Sequence, residues 1–423
     1  MKTRVMEPGE AASRRKPAAR PEARPEALSP GAAPRAARGD PHAAGARGAP
    51  EEVAAALAEA FAGLDPAAIM IFASEGETLA PVSALLAEAF GAGCRILGCS
   101  TAGEFAFGRP GGGGVAAVAF PRSHFRIRPV WLRDLRRSSA LDWMGALRRA
   151  AEEIAAEAPD WTRFGVLLID GLSQREELVS AMADAALPGL LTLGGSAGDG
   201  LRFESAWVAL DGEVRQDSAV FCLMAADFHV QEVVFDHILP TETRLVVTDA
   251  RPEDRLILEI NAEPAVQEYA RLIGLDPAEL GPSAFAENPL LARIGGRNFV
   301  RAISEVAEGG ALRLMSSVET GMVMTLGRAE NLTDGLEDRL ALLEAEPALV
   351  LGFDCILRRI ALERAGLEET AGRIFRRHRV AGFNTYGEQH GGMHVNQTFV
   401  GLAFMARPDR SATESAEDAP LDD

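Results

Sequence analysis

Two glycine-rich segments share a pattern although they lie far apart in the chain: GCSTAGE at residues 98–104 and GFNTYGE at residues 382–388. Both begin with Gly, have Thr at the fourth position and end in Gly-Glu. Between them lies another glycine-rich segment, GGSAGD at residues 194–199, and the three are numbered first, second and third in chain order. Each segment follows a short apolar run. Such a run is typical of a strand in a sheet that is covered on both faces. We therefore predict that each segment forms a turn at the end of a buried strand.

The sequence around each segment repeats one order of elements: a strand, a helix, a second strand, the glycine-rich turn and a last strand. These units cover residues 69–120, 165–224 and 348–405, and the helix of the third unit is predicted over residues 356–376. A strand, a crossover helix and a second strand form a right-handed parallel unit, whereas the last strand returns antiparallel. The predicted fold class is α/β, with mixed but mostly parallel sheets built from these repeated units.

Changes in composition divide the chain into four parts. Residues 1–49 are rich in Arg, Ala and Pro and contain no aromatic residue, so we predict a disordered arm. A turn-like stretch near residues 248–252 separates two predicted lobes, at residues 50–245 and 255–405. Residues 406–423 are polar and acidic, which predicts a tail.

The overall charge excludes some classes of function. Lys and Arg total 43 against 61 for Asp and Glu, which gives a formal net charge of -18. So acidic a chain repels phosphate backbones, which argues against general nucleic-acid binding. The sequence has no apolar run of the roughly 18 residues that a membrane span needs. Its 4 cysteines form no CxxC pair, so we expect a reducing, cytoplasmic environment.

The glycine-rich turns are the predicted ligand surface, because free backbone N–H groups and small side chains at strand ends let a ligand approach the main chain. The alternative to a ligand surface is that these glycines serve only tight chain reversal and close packing. Arg301, in the run Phe-Val-Arg-Ala, is a further candidate for an anionic ligand, unless it simply lies on an exposed strand. The predicted ligand-binding residues are Ser100, Thr101, Gly103, Ser196, Arg301, Asn384, Thr385 and Glu388.

Two other kinds of site were weighed. Ser196 lies in a GxSxG match, but a nucleophile elbow needs a helix directly after the serine, and here a strand is predicted at residues 206–210. His390 and His394 lie four residues apart, and two of the residues between them are glycines. They are therefore expected to flank a hairpin turn rather than to form a metal-binding pair on a helix. A single axial histidine for haem needs no spacing motif, so haem ligation stays open for both.

Together these motifs resemble the FIST domains. Residues 69–120 and 194–199 are similar to the N-terminal half of the family, and residues 256–405 are similar to its C-terminal half. The resemblance implies a sensory domain of signal transduction that binds small ligands such as amino acids. Because the chain has no room for a fused output domain, it resembles the stand-alone members.

One stand-alone subgroup comprises haem-based nitric-oxide sensors that act on a separate histidine kinase, and residues 387–389 and 393–398 resemble it. That resemblance makes haem b the candidate cofactor and His394 its candidate axial ligand. A second histidine of the subgroup is replaced here by Asn288.

We therefore expect a non-catalytic sensor that binds a small ligand, such as an amino acid or related metabolite, and signals to a separate histidine kinase or cyclase. The alternatives are a haem-based nitric-oxide sensor and a serine hydrolase that uses Ser196.

Overall fold

Strands and helices alternate throughout the computed structural model, which describes residues 39–106, 109–111, 114–294 and 296–405. The strands are β1 His42–Ala46, β2 Pro66–Ala73, β3 Arg95–Ser100, β4 Glu104–Ala106, β5 Arg109–Gly111, β6 Val115–Pro121, β7 Phe125–Leu132, β8 Thr162–Asp170, β9 Leu191–Ala197, β10 Val208–Leu210, β11 Glu213–Arg215, β12 Ala219–Ala226, β13 Val230–Asp236, β14 Ile238–Arg251, β15 Leu256–Ile260, β16 Glu263–Pro264, β17 Leu290–Ile294, β18 Arg297–Arg301, β19 Ile303–Ala307, β20 Ala311–Leu314, β21 Val323–Ala329, β22 Pro347–Cys355, β23 Val380–Thr385, β24 Glu388–His390, β25 Met393–Val395 and β26 Thr398–Met405.

The α-helices are α1 Pro50–Ala60, α2 Gly76–Phe90, α3 Ala140–Glu157, α4 Glu176–Ala186, α5 Ala265–Ile273, α6 Pro282–Glu287, α7 Asp334–Ala341, α8 Ile356–Ala365 and α9 Glu368–Arg377. None of these helices combines the length and the apolar character that a membrane crossing requires.

Three sheets have the same central order of strands: β6-β2-β3, β12-β8-β9 and β26-β22-β23. In each of them the last two strands are parallel and the first is antiparallel to its neighbour. The mixed α/β class is therefore confirmed. Every other strand pair within the described residues is antiparallel, so the prediction of mostly parallel sheets is wrong. The described strands outside these three parallel pairs all pair antiparallel. Many of them are joined by connections that are too short for a parallel crossover.

The first glycine of each glycine-rich segment lies inside a strand of a parallel pair. Gly98 is the register partner of Ile71, Gly194 that of Leu167, and Gly382 that of Gly352. A Cβ atom at any of these three glycines would overlap the carbonyl oxygen of its partner. The segments predicted as turns therefore begin as strand, and close contact between backbones explains their first glycine.

One hydrophobic core lies between these three sheets. It includes Met70 from β2, Val166 from β8 and Leu351 from β22, all fully buried. Phe72 stacks on Phe383 with a centroid distance of 4.8 Å, which joins the first sheet to the third. The opposite faces are covered by helices, with α1 and α2 on the first sheet, α3 and α4 on the second, and α7 and α9 on the third.

A fourth sheet follows in the middle of the chain, with the order β18-β17-β21-β14-β15-β20-β19. Tyr269 of α5 and Phe285 of α6 are buried against it. Strand β14 runs through residues 245–251, where the boundary between the two lobes was predicted. Strands from the two predicted lobes also pair with each other: β4 with β23, β9 with β24 and β13 with β26. The two-lobe prediction is therefore not confirmed.

Two further predictions need correction. The helix predicted over residues 356–376 is divided into α8 and α9, because Gly366 adopts a left-handed backbone with φ of 64° that ends α8. The disordered arm was predicted to reach residue 49, but β1 occupies His42–Ala46 and pairs with β6. The rest of the predicted arm, residues 1–38, and the predicted tail, residues 406–423, lie outside the described residues.

Candidate functional site

Ser100 and Ser196 are fully buried at the ends of β3 and β9. The Ser100 Oγ accepts a hydrogen bond of 2.9 Å from the Trp207 backbone N–H. The Ser196 Oγ accepts one of 2.8 Å from Gln389 Nε2. Each hydroxyl group therefore links neighbouring strands of one sheet, Ser100 on β3 beside β10 and Ser196 on β9 beside β24, and neither lines the two cavities described next.

The third glycine-rich segment ends in a buried hydrogen-bond network around Glu388. The Thr385 hydroxyl donates to one carboxylate oxygen, and the Thr398 hydroxyl donates to the other at 2.7 Å. The Thr398 backbone N–H donates to that second oxygen at 3.2 Å. Burial raises the pKa of Glu388 to about 8, although these hydrogen bonds act in the opposite direction. Glu388 thus ties β24 to Thr385 at the end of β23 and to Thr398 at the start of β26.

Two neighbouring cavities, here called the Arg359 cleft, lie where the first and third glycine-rich segments meet α8. One has a volume of about 210 Å³ and the other of about 150 Å³. Both are small beside the roughly 300–1,000 Å³ of pockets for drug-sized ligands, so they suit a small metabolite. The larger cavity is lined by Ser74, Thr101, Ala102, Gly200, Leu201, Ile356, Arg359, Ile360 and Glu363. The smaller is lined by Phe105, Asp354, Arg359, Leu362, Glu363, Glu368, Ala371, Gly372, Phe375 and Asn384.

Arg359 is shared by both cavities. Its Nη1 donates to the Ala102 carbonyl at 2.8 Å, and its Nε donates to Glu363 at 2.6 Å. Gly103, with φ of 146°, lies beside this guanidinium, and a Cβ atom there would overlap Nη1. A guanidinium has five N–H donors, so several remain for an anionic group in the cleft.

The smaller cavity combines carboxylates with aromatic rings. Asp354 is buried and paired with Arg358 at 2.6 Å, and burial raises the pKa of Asp354. Asn384 Nδ2 lies 3.5 Å from the Asp354 carboxylate, while Phe105 and Phe375 form the apolar wall with a centroid distance of 4.7 Å. The cleft therefore offers both signs of charge within a small volume.

Arg301 and His394 lie elsewhere, in a second buried cluster, and neither lines the Arg359 cleft. Burial lowers the pKa of His394 to about 4 and also lowers the pKa of Arg301. The predicted hairpin around His394 is confirmed, since β24 and β25 pair antiparallel. The predicted residues therefore divide. Thr101, Gly103 and Asn384 border the cleft, Thr385 and Glu388 form the buried network, Ser100 and Ser196 bond within their own sheets, and Arg301 and His394 lie in this cluster.

The packing of His394 does not fit haem ligation. The His394 side chain is 3% exposed, its Nδ1 is 3.3 Å from Gln389 Nε2, and its ring lies against Gly387, where even a Cβ atom would overlap it. A haem iron needs free access to a ring nitrogen. No group of three His, Cys, Asp or Glu within the described residues is arranged to hold a metal ion.

Ser196 does not fit a hydrolase nucleophile either. Strand β9 runs through Ser196 and ends at Ala197, and Gly198 continues into a loop instead of a helix. The hydroxyl is occupied by Gln389, and His394 contacts Gln389 instead of the serine. A nucleophile elbow would expose the serine at the start of a helix.

Sequence reasoning missed Arg359. It directly follows Arg358, which is fully buried and paired with Asp354. Nothing in the local sequence distinguishes the two arginines, because the partner of Arg359 is the carbonyl of Ala102, a distant residue of the first glycine-rich segment.

Comparison with protein families gives two adjoining matches. The FIST N domain matches residues 67–263 and the FIST C domain matches residues 265–390. A comparison with curated proteins finds no match. FIST domains are sensory domains that bind small ligands. The chain is therefore a FIST protein, in which a FIST N domain is followed directly by a FIST C domain.

Proposed function

We propose that the protein is a non-catalytic sensor that binds a small ligand, such as an amino acid or related metabolite, in the Arg359 cleft. The observation that supports this proposal is that the residues lining the cleft come from both FIST domains. Thr101, Ala102 and Leu201 belong to the FIST N domain, whereas Ile356 and Arg359 belong to the FIST C domain. A ligand in the cleft touches both domains at once.

The charges around the cleft favour a ligand that carries both an acidic and a basic group. The free N–H groups of Arg359 suit a carboxylate, which guanidinium groups bind with two parallel hydrogen bonds. The carboxylate of Glu363, which keeps acceptor capacity beyond its hydrogen bond from Arg359, suits an ammonium group. The small volume and the rings of Phe105 and Phe375 leave room for a short apolar side chain.

Signalling then follows from differential binding. A ligand shifts a conformational equilibrium only if it binds one arrangement better than another. A ligand that bridges the two domains favours the arrangement in which Thr101 and Arg359 approach each other. The receiver of this signal is a separate protein, such as a histidine kinase or a cyclase. Cytoplasmic location is part of the proposal, and the four free, buried cysteines accord with it.

Calorimetric titration with a panel of amino acids tests the site. In Arg359→Gln we expect at least a tenfold loss of affinity for any amino acid that binds, since a charge-assisted bond is lost. The control is Arg364→Gln, on the same helix, where the arginine pairs with Glu287 away from the cleft. Equal affinities of Arg359→Gln and the unaltered protein would place the ligand elsewhere.

Haem ligation by His394 stays a separate prediction, which the packing of His394 does not support. Absorption spectra of haemin-treated protein test it. We expect the same spectrum for the unaltered protein and for His394→Ala. A Soret band that is present in the unaltered protein and lost in His394→Ala would establish that His394 binds haem.

A further inference from the structure

A third cavity, here called the Arg175 pocket, lies apart from the Arg359 cleft and shares no lining residue with it. Its volume is about 300 Å³. It is formed where the start of α4 meets the loop after β14 and residue Ser317. Like the cleft, it therefore has walls from both FIST domains, but from different elements.

The pocket is rich in guanidinium groups. None of the described residues provides a partner for the guanidinium of Arg175. The Arg136 side chain is 55% exposed, donates only to the carbonyls of Leu172 and Ser173, and lies 3.8 Å from Asp217. Both arginines thus keep N–H donors available to a molecule in the pocket.

The third arginine of the pocket, Arg255, is buried and committed to carboxylates. It pairs with Glu176 and Glu177, each at 2.7 Å. Glu177 also accepts a hydrogen bond of 2.8 Å from the Ser317 backbone N–H. Burial raises the pKa of Glu176, and the nearby Arg255 guanidinium opposes this shift. Glu176 and Glu177 are thus both engaged by Arg255, and Glu253 is the other carboxylate that lines the pocket.

Two unpartnered polar groups are buried near these charged residues, although neither lines the pocket. Arg301 is 7% exposed, its Nε has no hydrogen-bond partner in the described structure, and the charges of Glu177 and Arg255 act on it. The buried Ser316 hydroxyl also has no partner within the described residues, and its chain neighbour Ser317 lines the pocket.

We propose that the Arg175 pocket binds a small oxyanion, a phosphate or a carboxylate group, between Arg175 and Arg136. The first turn of α4 adds its own attraction, because backbone N–H groups at a helix start favour negative charge. Phosphate and carboxylate share the geometry of two oxygens that a guanidinium recognises.

Calorimetric titration of the whole chain tests this proposal with sodium phosphate and sodium malonate as the probes. Sodium chloride at the same ionic strength controls for screening. We expect one of the two oxyanions to bind more tightly than chloride, and the tighter one identifies the ligand class. In Arg175→Gln the affinity should fall about tenfold or more, because an unpaired guanidinium is removed from the pocket.

The matched control is Arg163→Gln, since Arg163 is also on the surface but lies outside the pocket. Its affinity should equal that of the unaltered protein. Arg359→Gln should also keep full oxyanion affinity, which separates this site from the proposed sensor cleft. The proposal is overturned if neither oxyanion binds better than chloride, or if Arg175→Gln and Arg163→Gln behave alike.

Discussion

At the scale of one residue, Glu388 shows how a motif that recurs in the sequence can have a structural role. Its carboxyl group is fully buried, and within the described residues its hydrogen-bond partners are donors from Thr385 and Thr398. These hydrogen bonds favour the ionised form, yet desolvation outweighs them and raises the pKa of Glu388 to about 8. The motif therefore fastens the start of a hairpin to the neighbouring strands.

The raised pKa of Glu388 predicts that its contribution to stability changes with pH. Unfolding returns the carboxyl group to its usual pKa of about 4.5, so between this value and about 8 the folded state binds more protons than the unfolded state. The contribution is complete below about pH 4.5 and is lost as the pH rises through 8. In Glu388→Gln we expect a smaller fall in the free energy of unfolding between pH 5 and pH 8, measured with urea.

The control for this experiment is Glu51→Gln, an exposed residue of α1, which should keep the slope of the unaltered protein. An unchanged slope in Glu388→Gln would mean that Glu388 is ionised at neutral pH. His394 acts in the opposite direction at lower pH. Its pKa is lowered to about 4, so its contribution is present above pH 6.5 and is lost as the pH falls through 4.

The three parallel strand pairs show at the scale of elements what the glycine pattern requires. Gly98, Gly194 and Gly382 each lie against the backbone of the register partner, where a carbonyl oxygen occupies the place of a Cβ atom. A flexible side chain could move aside, but a backbone inside a parallel pair is held by its hydrogen bonds. These glycines are therefore demanded by strand packing.

Gly194→Ala is expected to destabilise the protein by more than the roughly 1–3 kcal/mol that is typical of overpacked cores, because its Cβ atom would overlap the Leu167 carbonyl. Thermal and urea unfolding measure the change. Gly145→Ala in α3 is the control with the opposite sign, since its Cβ atom meets only the end of Arg149. It should stabilise the helix by about 0.5–1 kcal/mol. A Gly194→Ala protein as stable as the unaltered one would refute the packing argument.

The sequence predicted single elements well and their pairing poorly. The strand predicted at residues 206–210 is found at Val208–Leu210, because the apolar pattern of a strand is a local property. The end of α8 at Gly366 was not predicted. A single glycine within a helical sequence pattern is also compatible with one continuous helix. Arg359 was missed because its contact with the Ala102 carbonyl depends on the fold of the whole chain.

At the scale of the whole molecule, the two FIST domains share sheets. Strand β4 of the FIST N domain pairs with β23 of the FIST C domain, and β9 pairs with β24. The FIST N strand β13 also pairs with β26. A side-chain hydrogen bond also joins the two domains, since the Glu177 carboxylate accepts from the backbone N–H of Ser317. Strand pairing of this kind makes the folding of one domain depend on the other.

We expect that neither residues 39–263 nor residues 264–405 fold alone when each is produced separately. Each fragment would leave β-strands without partners and part of the shared core open to water. Circular dichroism with urea unfolding should show one cooperative transition for the whole chain and none for either fragment. Mixing the two fragments should restore the transition. A fragment that unfolds cooperatively by itself would instead establish an independent domain.

Strand β1 has a practical consequence for anyone who shortens this protein. It is the outermost strand of the first sheet and covers the backbone of β6 along residues 115–119. A chain trimmed to begin at α1 would leave that backbone bare, and bare sheet edges recruit strands from other molecules. Such a truncated protein is expected to self-associate, so a tag or surface anchor is best attached ahead of Gly39.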